Sequence, residues 1–562
     1  MDHRRWRVLP LTPVGCLSTS GLPDLANQLL YNRGITDPAL ARAFLSVDES
    51  LQCDPFLMPD MERAVSRLYQ AMLRGETVAI YGDFDADGVC GTALLVQGLT
   101  SLGAKVIPYI PHRVEEGYGL NTASLENLTR LGVTLVVTVD CGISNVAEVA
   151  EAQKKGLDVI VTDHHTITTE IPPALAVLNP KCTDPGLPFY QLAGVGVAFK
   201  LLQALLRTLG KQGIEEHALD LVTVGTVADM VPLTGENRYL VRKGMDFLCQ
   251  TNRLGLLAMA EVAALRMSRL DANSISWSIA PRLNAPGRLD HALTSYRLLM
   301  TESAEEARFL AEELERKNHL RQRLTEEYLA KAKSQLPSGA ADLPLLMVGG
   351  EGYPSGLAGL VAGKLADEFY RPTFVFEIVD GTARGSARSI PDFDVVAALS
   401  QCEDLLTRFG GHPGAAGFAL PAENLVPFQR RLLEMAEREL ADLDLRPFLI
   451  VDAETRLSGV HGRTFRMVEK FAPFGKGNPL PVFLSRQVRV ADAYRVGGGS
   501  QHLKMKLRDS NVTWRAIGFD LGHLSSEMTS EIDVVYNLVV DRWNDHEVLA
   551  LNVLDFAPAS FI

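Results

Sequence analysis

The sequence predicts an α/β protein in several parts: a parallel-sheet domain, a smaller α/β domain joined to it by a long helix, and a C-terminal β-barrel of OB type. Three observations carry this reading. From about residue 61, short β-branched runs alternate with helical stretches, the pattern of βαβ units and a parallel sheet. Residues 305–333 are rich in Glu, Arg, Lys, Ala and Leu, which favours one long helix. After Pro447 the apolar positions alternate with period two, as in the strands of a small barrel.

Residues 1–60 read as a mixed helical lead-in. The first α/β domain, 61–300, has expected strands at 78–81, 106–110, 135–139 and 159–162. Helices are expected at 91–102 and 147–155, and a mostly helical stretch fills about 193–300. The strands are apolar throughout, as strands covered on both faces are. Residues 301–340 hold the connecting helix, with Leu310, Leu314, Leu320, Leu324 and Tyr328 as its narrow apolar stripe. Such a helix bridges domains through solvent. Pro337, Gly339 and Pro344 close it. Residues 341–445 restart the α/β pattern, with strands near 345–348, 373–377 and 381–386 and a helix near 357–369. Barrel strands are expected within 446–562, near 488–494, 502–507, 513–519 and 532–540.

Bulk properties narrow the class. The chain has 562 residues, 47% hydrophobic and 22% charged, ordinary values for a globular protein with a sizeable core. No apolar run is long enough for a membrane span and the start lacks the apolar segment of a signal peptide, so a cytoplasmic location and no membrane partner are expected. The 7 cysteines are scattered, odd in number and never spaced as CxxC, which argues against a disulfide framework and a structural zinc site. A net charge of −13 means that nucleic acid, if bound, meets Lys and Arg gathered in a groove.

Chemistry gathers at strand ends. YGDFDADG, 81–88, puts Asp83, Asp85 and Asp87 just past a strand. A calcium EF-hand loop begins the same way, but its twelfth position needs Glu and here is Leu94, and its entering helix is replaced by a strand. TLVVTVDCGIS ends a second strand at Asp140, and DVIVTDHH ends a third at Asp163, His164 and His165. Any one of these acids alone would be an ordinary helix N-cap. In a parallel sheet, however, all carboxyl ends share one edge, where ligands bind. Asp229, inside the apolar stretch GTVADMVPL, is costly to bury unless paired or bound to metal. Carboxylates with imidazoles and no thiolate suit Mn²⁺ or Mg²⁺. Several acids with room for a bridging oxygen suggest two ions about 3.5–4 Å apart, an arrangement suited to phosphoester hydrolysis by in-line attack. GVGVAF, 194–199, and FGGHPGAAG, 409–417, lack the remaining marks of dinucleotide and Walker loops and are not assigned to NAD or NTP.

Taken together, D-x-D-x-D-G, the strand-end Asp, the DHH triplet and the later Asp resemble the four motifs of the DHH phosphoesterase superfamily. The resemblance extends over about 60–560 and implies a DHH domain at 61–300, a DHHA1 domain at 341–445 and an OB fold at 446–562. It points to the superfamily's single-strand-specific exonucleases. Those act on single-stranded DNA with 5′-to-3′ polarity, release mononucleotides, serve repair and recombination, and use two divalent cations, Mn²⁺ or Mg²⁺. On this resemblance Asp85, Asp87, Asp140, His164 and Asp229 are expected as metal ligands. Asp83 is expected as a ligand or a support, His165 on the scissile phosphate, and Asp163 behind a histidine. HRVEEGYGL, 112–120, offers Arg113 and Tyr118 to the strand; PRLNAPGRLD, 281–290, offers Arg282, Asn284 and Arg288 as phosphate clamps. GSARS and FGGHPGAAG offer Ser386, Arg388 and His412 to the 5′ end. APFGKGNPLPVF, 472–483, is similar to the segment that precedes the OB fold, in which His502, Lys504, Lys506, Trp514 and Arg515 are candidates for the strand. A monomer is expected, with a single-strand-binding protein or a helicase as partner. One departure is Tyr353-Pro354-Ser355, where those exonucleases often carry Trp-His or Trp-Asn. Three other readings share parts of the pattern: a DHH phosphodiesterase for short oligonucleotides or cyclic dinucleotides, an RNA exonuclease, and an inactive replication scaffold. The last would lack the Asp and His ligands, which are present here.

Overall fold

Apolar runs that end in aspartate become the strands of a buried parallel sheet. The protein is seen here in a computed structural model, which describes residues 4–113, 115–167, 170–543 and 546–559. After β1 (Arg5–Val8), the first α/β domain holds β2 (Thr77–Gly82), β3 (Lys105–Tyr109), β4 (Val133–Val139), β5 (Asp158–Thr162) and a short β6 (Ala176–Leu178). They form a five-stranded sheet in the order β3-β2-β4-β5-β6, every pair parallel. Strand β6 has only three residues, too few for a pattern in the sequence to report. The helices α1 (Ala86–Ser101), α2 (Gly194–Thr208) and α3 (Leu219–Ala228) cover one face, with Val89, Leu94, Val195, Leu201 and Val224 fully buried among the strand side chains.

The helix α4 (Ala280–Leu289) carries the PRLNAPGRLD segment, and α5 (Ala304–Gln335) is the connecting helix. Its 32 residues span roughly 48 Å at 1.5 Å per residue. It is not surrounded by solvent. Leu310, Leu314, Asn318 and Thr325 are buried, whereas Leu320 of the expected stripe is 36% exposed. The buried seam therefore follows a 3–4 spacing and turns polar in its middle.

The second α/β domain comprises β7 (Leu346–Gly350), α6 (Ser355–Phe369), β8 (Thr373–Val379), β9 (Thr382–Arg388), β10 (Arg408–His412) and β11 (Ala415–Pro421), with sheet order β10-β11-β9-β8-β7. The hairpin β10–β11 is the FGGHPGAAG stretch, whose small residues carry little strand propensity. Tyr353 is buried, packs its ring at a tilt 5.3 Å from that of Tyr328 of α5 and donates its hydroxyl to Gln335 at 3.2 Å. At the departure from the exonuclease pattern, then, an aromatic ring pins the connecting helix to this domain.

The C-terminal unit holds β12 (Phe448–Val451), which pairs outside the barrel, and the barrel sheet of β13 (Ala453–Glu454), β14 (Phe483–Val496), β15 (His502–Asp509), β16 (Val512–Gly518), β17 (Glu531–Trp543) and β18 (His546–Pro558). The order β14-β15-β16-β18-β17 closes through the pairing of β14 with β17. Strand β1 lies parallel to β12, and Leu17, Leu29, Leu30 and Phe44 pack into the barrel core. By contact, much of the expected lead-in belongs to the C-terminal unit. Trp514 is buried in that core and is no stacking platform; His502 is half-buried against Phe519, while Lys504, Lys506 and Arg515 are exposed. Among the described residues, no helix is long and apolar enough to cross a membrane.

Candidate metal centre

Three adjacent strands deliver their acids to one edge. Gly82 lies opposite Val139, and Val137 opposite Ile160. Past each strand end, one more rung continues the ladder. Asp83 N–H donates to the Val139 carbonyl at 3.1 Å, Asp140 to Thr162 at 3.0 Å and Asp163 to Leu178 at 3.0 Å. The backbone of all three is thereby fixed, and their side chains are buried. Asp140 has φ of 62°, a left-handed turn that aspartate tolerates better than most residues.

Helix ends place the remaining acids. Asp85 is the N-cap of α1 and accepts from the N–H groups of Asp87 at 2.9 Å and Gly88 at 3.1 Å. Asp87 reaches across to the start of α2, where Gly194 and Val195 donate to its two oxygens at 2.6 and 2.9 Å. These are the unpaired N–H groups at the positive end of that helix. The GVGVAF run thus anchors Asp87, and each carboxylate oxygen keeps a further lone pair. Asp229 stands at the opposite kind of end, as the C-cap of α3. A carboxylate there meets the helix's free carbonyls and is destabilised by them, so helix capping does not account for it.

Four buried polar atoms have no hydrogen-bond partner and converge: Asp83 Oδ1, Asp140 Oδ1, His164 Nε2 and Asp229 Oδ2. His164 Nε2 is 3.0 Å from Asp140 Oδ1 and 3.5 Å from Asp229 Oδ2. Leaving such groups unpaired costs about 1–3 kcal/mol each, and a cation among them removes that cost. Their ligand atoms form three overlapping trios, each within 4.8 Å: Asp140/His164/His165, Asp87/His164/Asp229 and Asp83/Asp85/Asp140. Two of these trios share no residue, so the cluster offers two separate ligand sets.

Protonation follows the same geometry. Burial, reinforced by neighbouring carboxylates, pushes Asp83, Asp140 and Asp229 well above the usual carboxylate range. Burial and Asp85 push Asp87 up to about 7. Asp163 behaves differently. Burial opposes its charge, but His165 and its hydrogen bonds outweigh this and hold it at about 2. Asp163 Oδ1 accepts from the backbone N–H groups of His164 and His165 and pairs with His165 Nδ1 at 2.7 Å, while Oδ2 accepts from Ile143 at 2.9 Å. Burial disfavours the His165 cation as well, yet Asp163 raises it to about 9. His164 is lowered to about 3, by burial and then by His165, and is a neutral imidazole with a free lone pair. His165 is the open one of the two, its side chain 45% exposed against 12% for His164.

Cationic side chains lie near the acids, Arg113 within the influence of Asp83 and Asp85 and Arg288 within that of Asp85. Tyr118 OH donates to the Asp140 carbonyl at 3.3 Å and lies 3.3 Å from His165 Nδ1. Arg113 stacks on Phe84, 4.8 Å from its ring centre. Arg288 donates to the Gly356 carbonyl at 3.4 Å and is pushed down to about 10 by burial and by Arg113 and Arg321. Arg388 bonds Ser386 Oγ at 2.8 Å. His412, exposed on β10, is lowered by burial and by the charges of Lys476, Arg388 and His165. Arg113, Arg288 and Arg388 have no carboxylate in ion-pair contact among the described residues.

Arg282 and Asn284 are turned to other work than the expected phosphate clamp. Arg282 pairs with Glu315 of α5 and donates to the Ser278 carbonyl at 2.8 Å. Asn284 Oδ1 accepts from the Ala86 N–H at 2.7 Å, so it steadies the first turn of α1 behind Asp85. Sequence reasoning also missed Lys476, in the APFGKGN segment. Its carbonyl accepts from Leu233 N–H at 2.8 Å, four residues from Asp229, and its ammonium acts on Asp229, His164 and His412. The signal was the segment itself; its docking on the first domain is a long-range contact.

Comparison with known proteins agrees with this geometry. The family models that match are the DHH family, N-terminal domain, over residues 77–226, the DHHA1 domain over 342–441 and the RecJ OB domain over 451–555. The single-stranded-DNA-specific exonuclease RecJ of Bacillus subtilis is 37% identical over 96% of this chain and 69% of its own length. The crystal structure of RecJ from Thermus thermophilus in complex with Mn²⁺ superposes with TM-score 0.84 and 34% identity, over 98% of this chain and 79% of that one. The same protein's complex with Mg²⁺ gives 0.78 and 32%, over 98% and 78%.

Proposed function

This chain belongs to the RecJ family of single-stranded-DNA-specific exonucleases, and on that premise we propose that it draws one DNA strand, 5′ end first, past a pair of divalent cations and releases mononucleotides. It is a metal-dependent exonuclease, and Mn²⁺ or Mg²⁺ is its cofactor. The observation that carries the two-ion reading is the convergence of four unpartnered, buried ligand atoms at the sheet edge.

Asp87, His164 and Asp229 would hold one cation, and Asp83, Asp85 and Asp140 the other. When bound, such ions activate water and neutralise charge developing on the phosphate. Asp163 fixes His165 through Nδ1, leaving Nε2, on the open side, for the scissile phosphate. A protonated His165 adds positive charge there. Arg113, Arg288, Ser386 and Arg388 receive the phosphate at the 5′ end, with Tyr118 as a stacking surface and His412 at the rim. A strand must be presented single, which suits a single-strand-binding protein or a helicase as partner, and a cytoplasmic place beside the DNA under repair.

Digestion of single strands labelled at either end, in Mn²⁺ with duplex and RNA controls, tests this reading. The 5′ label is expected first, as a mononucleotide. First release of the 3′ label would overturn the polarity, and no hydrolysis in either metal would overturn the enzyme.

A further inference from the structure

Asp229 opens a turn, and part of what fixes that turn comes from the C-terminal unit. Helix α3 ends at Asp229, and Met230 follows with φ of 58°, a left-handed conformation that a β-carbon disfavours. Met230 is 65% exposed, so its own side chain does not hold it there. The restraint lies two and three residues on. The Pro232 carbonyl accepts from Asn237 Nδ2 at 3.1 Å, and the Leu233 N–H donates to the Lys476 carbonyl at 2.8 Å. Pro232 and Leu233 also lie hard against the segment 470–478. A β-carbon at Gly477 would be 2.9 Å from Pro232 Cβ, and one at Gly475 would be 2.8 Å from Leu233 Cδ1.

The segment is itself anchored. Arg238, buried on the helix Gly235–Cys249, donates to the carbonyls of Phe471 at 2.7 Å and Lys470 at 3.1 Å. Arg242, one turn on, donates to that of Ala472 at 2.7 Å. Within the segment, buried Asn478 donates to the carbonyls of Phe471 and Pro473, both at 2.7 Å, and accepts from Arg33 at 2.6 Å. Three parts of the chain thus lock a short stretch of backbone over the turn. The same helix reaches the other side of the ion site. Asn237 Nδ2 also donates to the Gln191 carbonyl, three residues before Gly194, whose N–H holds Asp87. Asp87 and Asp229, the two carboxylates of one trio, are therefore set by one frame.

We propose that the segment 470–478 is a positioning element of the metal centre: clamped by Arg238 and Arg242, it sets the turn after Asp229 and with it the place of that ligand. The proposal rests on the two-ion reading of the site. It makes the C-terminal unit part of what holds the cation shared by Asp87, His164 and Asp229. Support behind a metal ligand is worth about 10–100-fold in affinity. Asp83 and Asp140 are fixed by neighbouring strands, and Asp85 by the first turn of α1, so the second cation is expected to be spared.

The test is Mn²⁺ titration calorimetry on the metal-free full chain, comparing Gly477→Ala with Gly497→Ala. Both glycines have positive φ, 73° and 90°, and in both a β-carbon would lie 2.9 Å from its nearest neighbour. That neighbour is Pro232 for the first and the His502 ring, in the barrel, for the second. Gly477→Ala is expected to weaken one equivalent about tenfold or more and to leave the other unchanged. Gly497→Ala is expected to lower the Tm comparably and to leave both equivalents unchanged. In an Asp229→Asn background Gly477→Ala should cost nothing further, since both act on one ligand. Arg242→Met, which removes the contact to Ala472 without backbone strain, should weaken the same equivalent less; should Gly477→Ala not fold, Arg242→Met is read alone by the same criteria. Wild-type affinity in these variants would overturn the proposal. So would an equal loss of both equivalents, a matching loss in Gly497→Ala, or losses that add to that of Asp229→Asn. A wild type that binds a single Mn²⁺ would instead fail the two-ion reading.

Discussion

Gly194 is where the first helix turn of α2 meets the metal cluster, and Gly194→Ala is the sharpest single perturbation of it. A Cβ at this position would lie 2.5 Å from Asp140 Cβ and 2.7 Å from Asp140 Oδ1. Asp140 has little freedom to retreat, because its N–H is bound to Thr162 at 3.0 Å and its neighbour strands fix the backbone. Overpacking of this kind costs about 1–3 kcal/mol. Alanine recovers up to about 1 kcal/mol of helix propensity, so a net loss of about 0–2 kcal/mol in stability is expected. The larger effect falls on the site. The Gly194 N–H also holds Asp87 at 2.6 Å, so relief of the clash displaces two expected ligands together. Outer contacts to metal ligands are worth about 10–100-fold in affinity, and a shift of about 1 Å costs on the order of a hundredfold in rate. Mn²⁺ affinity by titration calorimetry and turnover on single strands read both. Gly196→Ala is the control: the nearest atoms its Cβ would meet belong to the Leu192 side chain, at 3.0 Å or more, and a leucine tip yields. Wild-type metal affinity and turnover in Gly194→Ala would refute the placement of Asp87 and Asp140 against this helix.

Further expectations concern the loop, the pH response and the barrel. Asn284→Ala removes the acceptor of the Ala86 N–H; it should cost about 0.5–2 kcal/mol and weaken Mn²⁺ binding, whereas a residue facing DNA would raise KM and leave metal affinity alone. In the metal-free protein, Asp87 and His165 bind protons more tightly than in the unfolded chain, with values near 7 and 9. Their stabilisation is present at low pH and lost as pH rises through those values. His164, lowered to about 3, acts in the opposite sense only below its unfolded value of about 6.5. Metal-free melting temperatures should therefore fall between about pH 6.5 and 9, and saturating Mn²⁺ should remove that fall; a rising Tm over this window would contradict the assignment. Lys476→Ala should raise KM for single strands and flatten its salt dependence, as checked by kinetics at several ionic strengths.

The strand-end acids were legible because their signal is local. A β-branched run followed by aspartate reports both the strand and its carboxyl end, and Asp83, Asp140 and Asp163 needed only the rule that parallel strands share an edge. Asp87 was legible as an acid but not as the partner of Gly194, since that contact joins residues 107 positions apart. Arg282, Asn284 and Arg288 share one short helix, yet Arg282 turns to Glu315, Asn284 to the Ala86 N–H, and Arg288 to the neighbourhood of Arg113. Spacing places a residue near a site and does not give the direction of its side chain. The hairpin of β10 and β11 was hidden by glycine and alanine, which pack into a sheet through their neighbours and not through their own propensity. The N-terminal residues gave no sign that they pack against the C-terminal unit, because the pairing of β1 with β12 spans most of the chain.

Paramagnetic resonance of Mn²⁺ titrated into the metal-free chain reaches the heart of this account. Two equivalents should bind, and their spectrum should show spin coupling between ions a few ångströms apart, lost together with the second equivalent in Asp140→Asn. A single site, or two sites with uncoupled six-line spectra, would contradict a paired centre at the sheet edge.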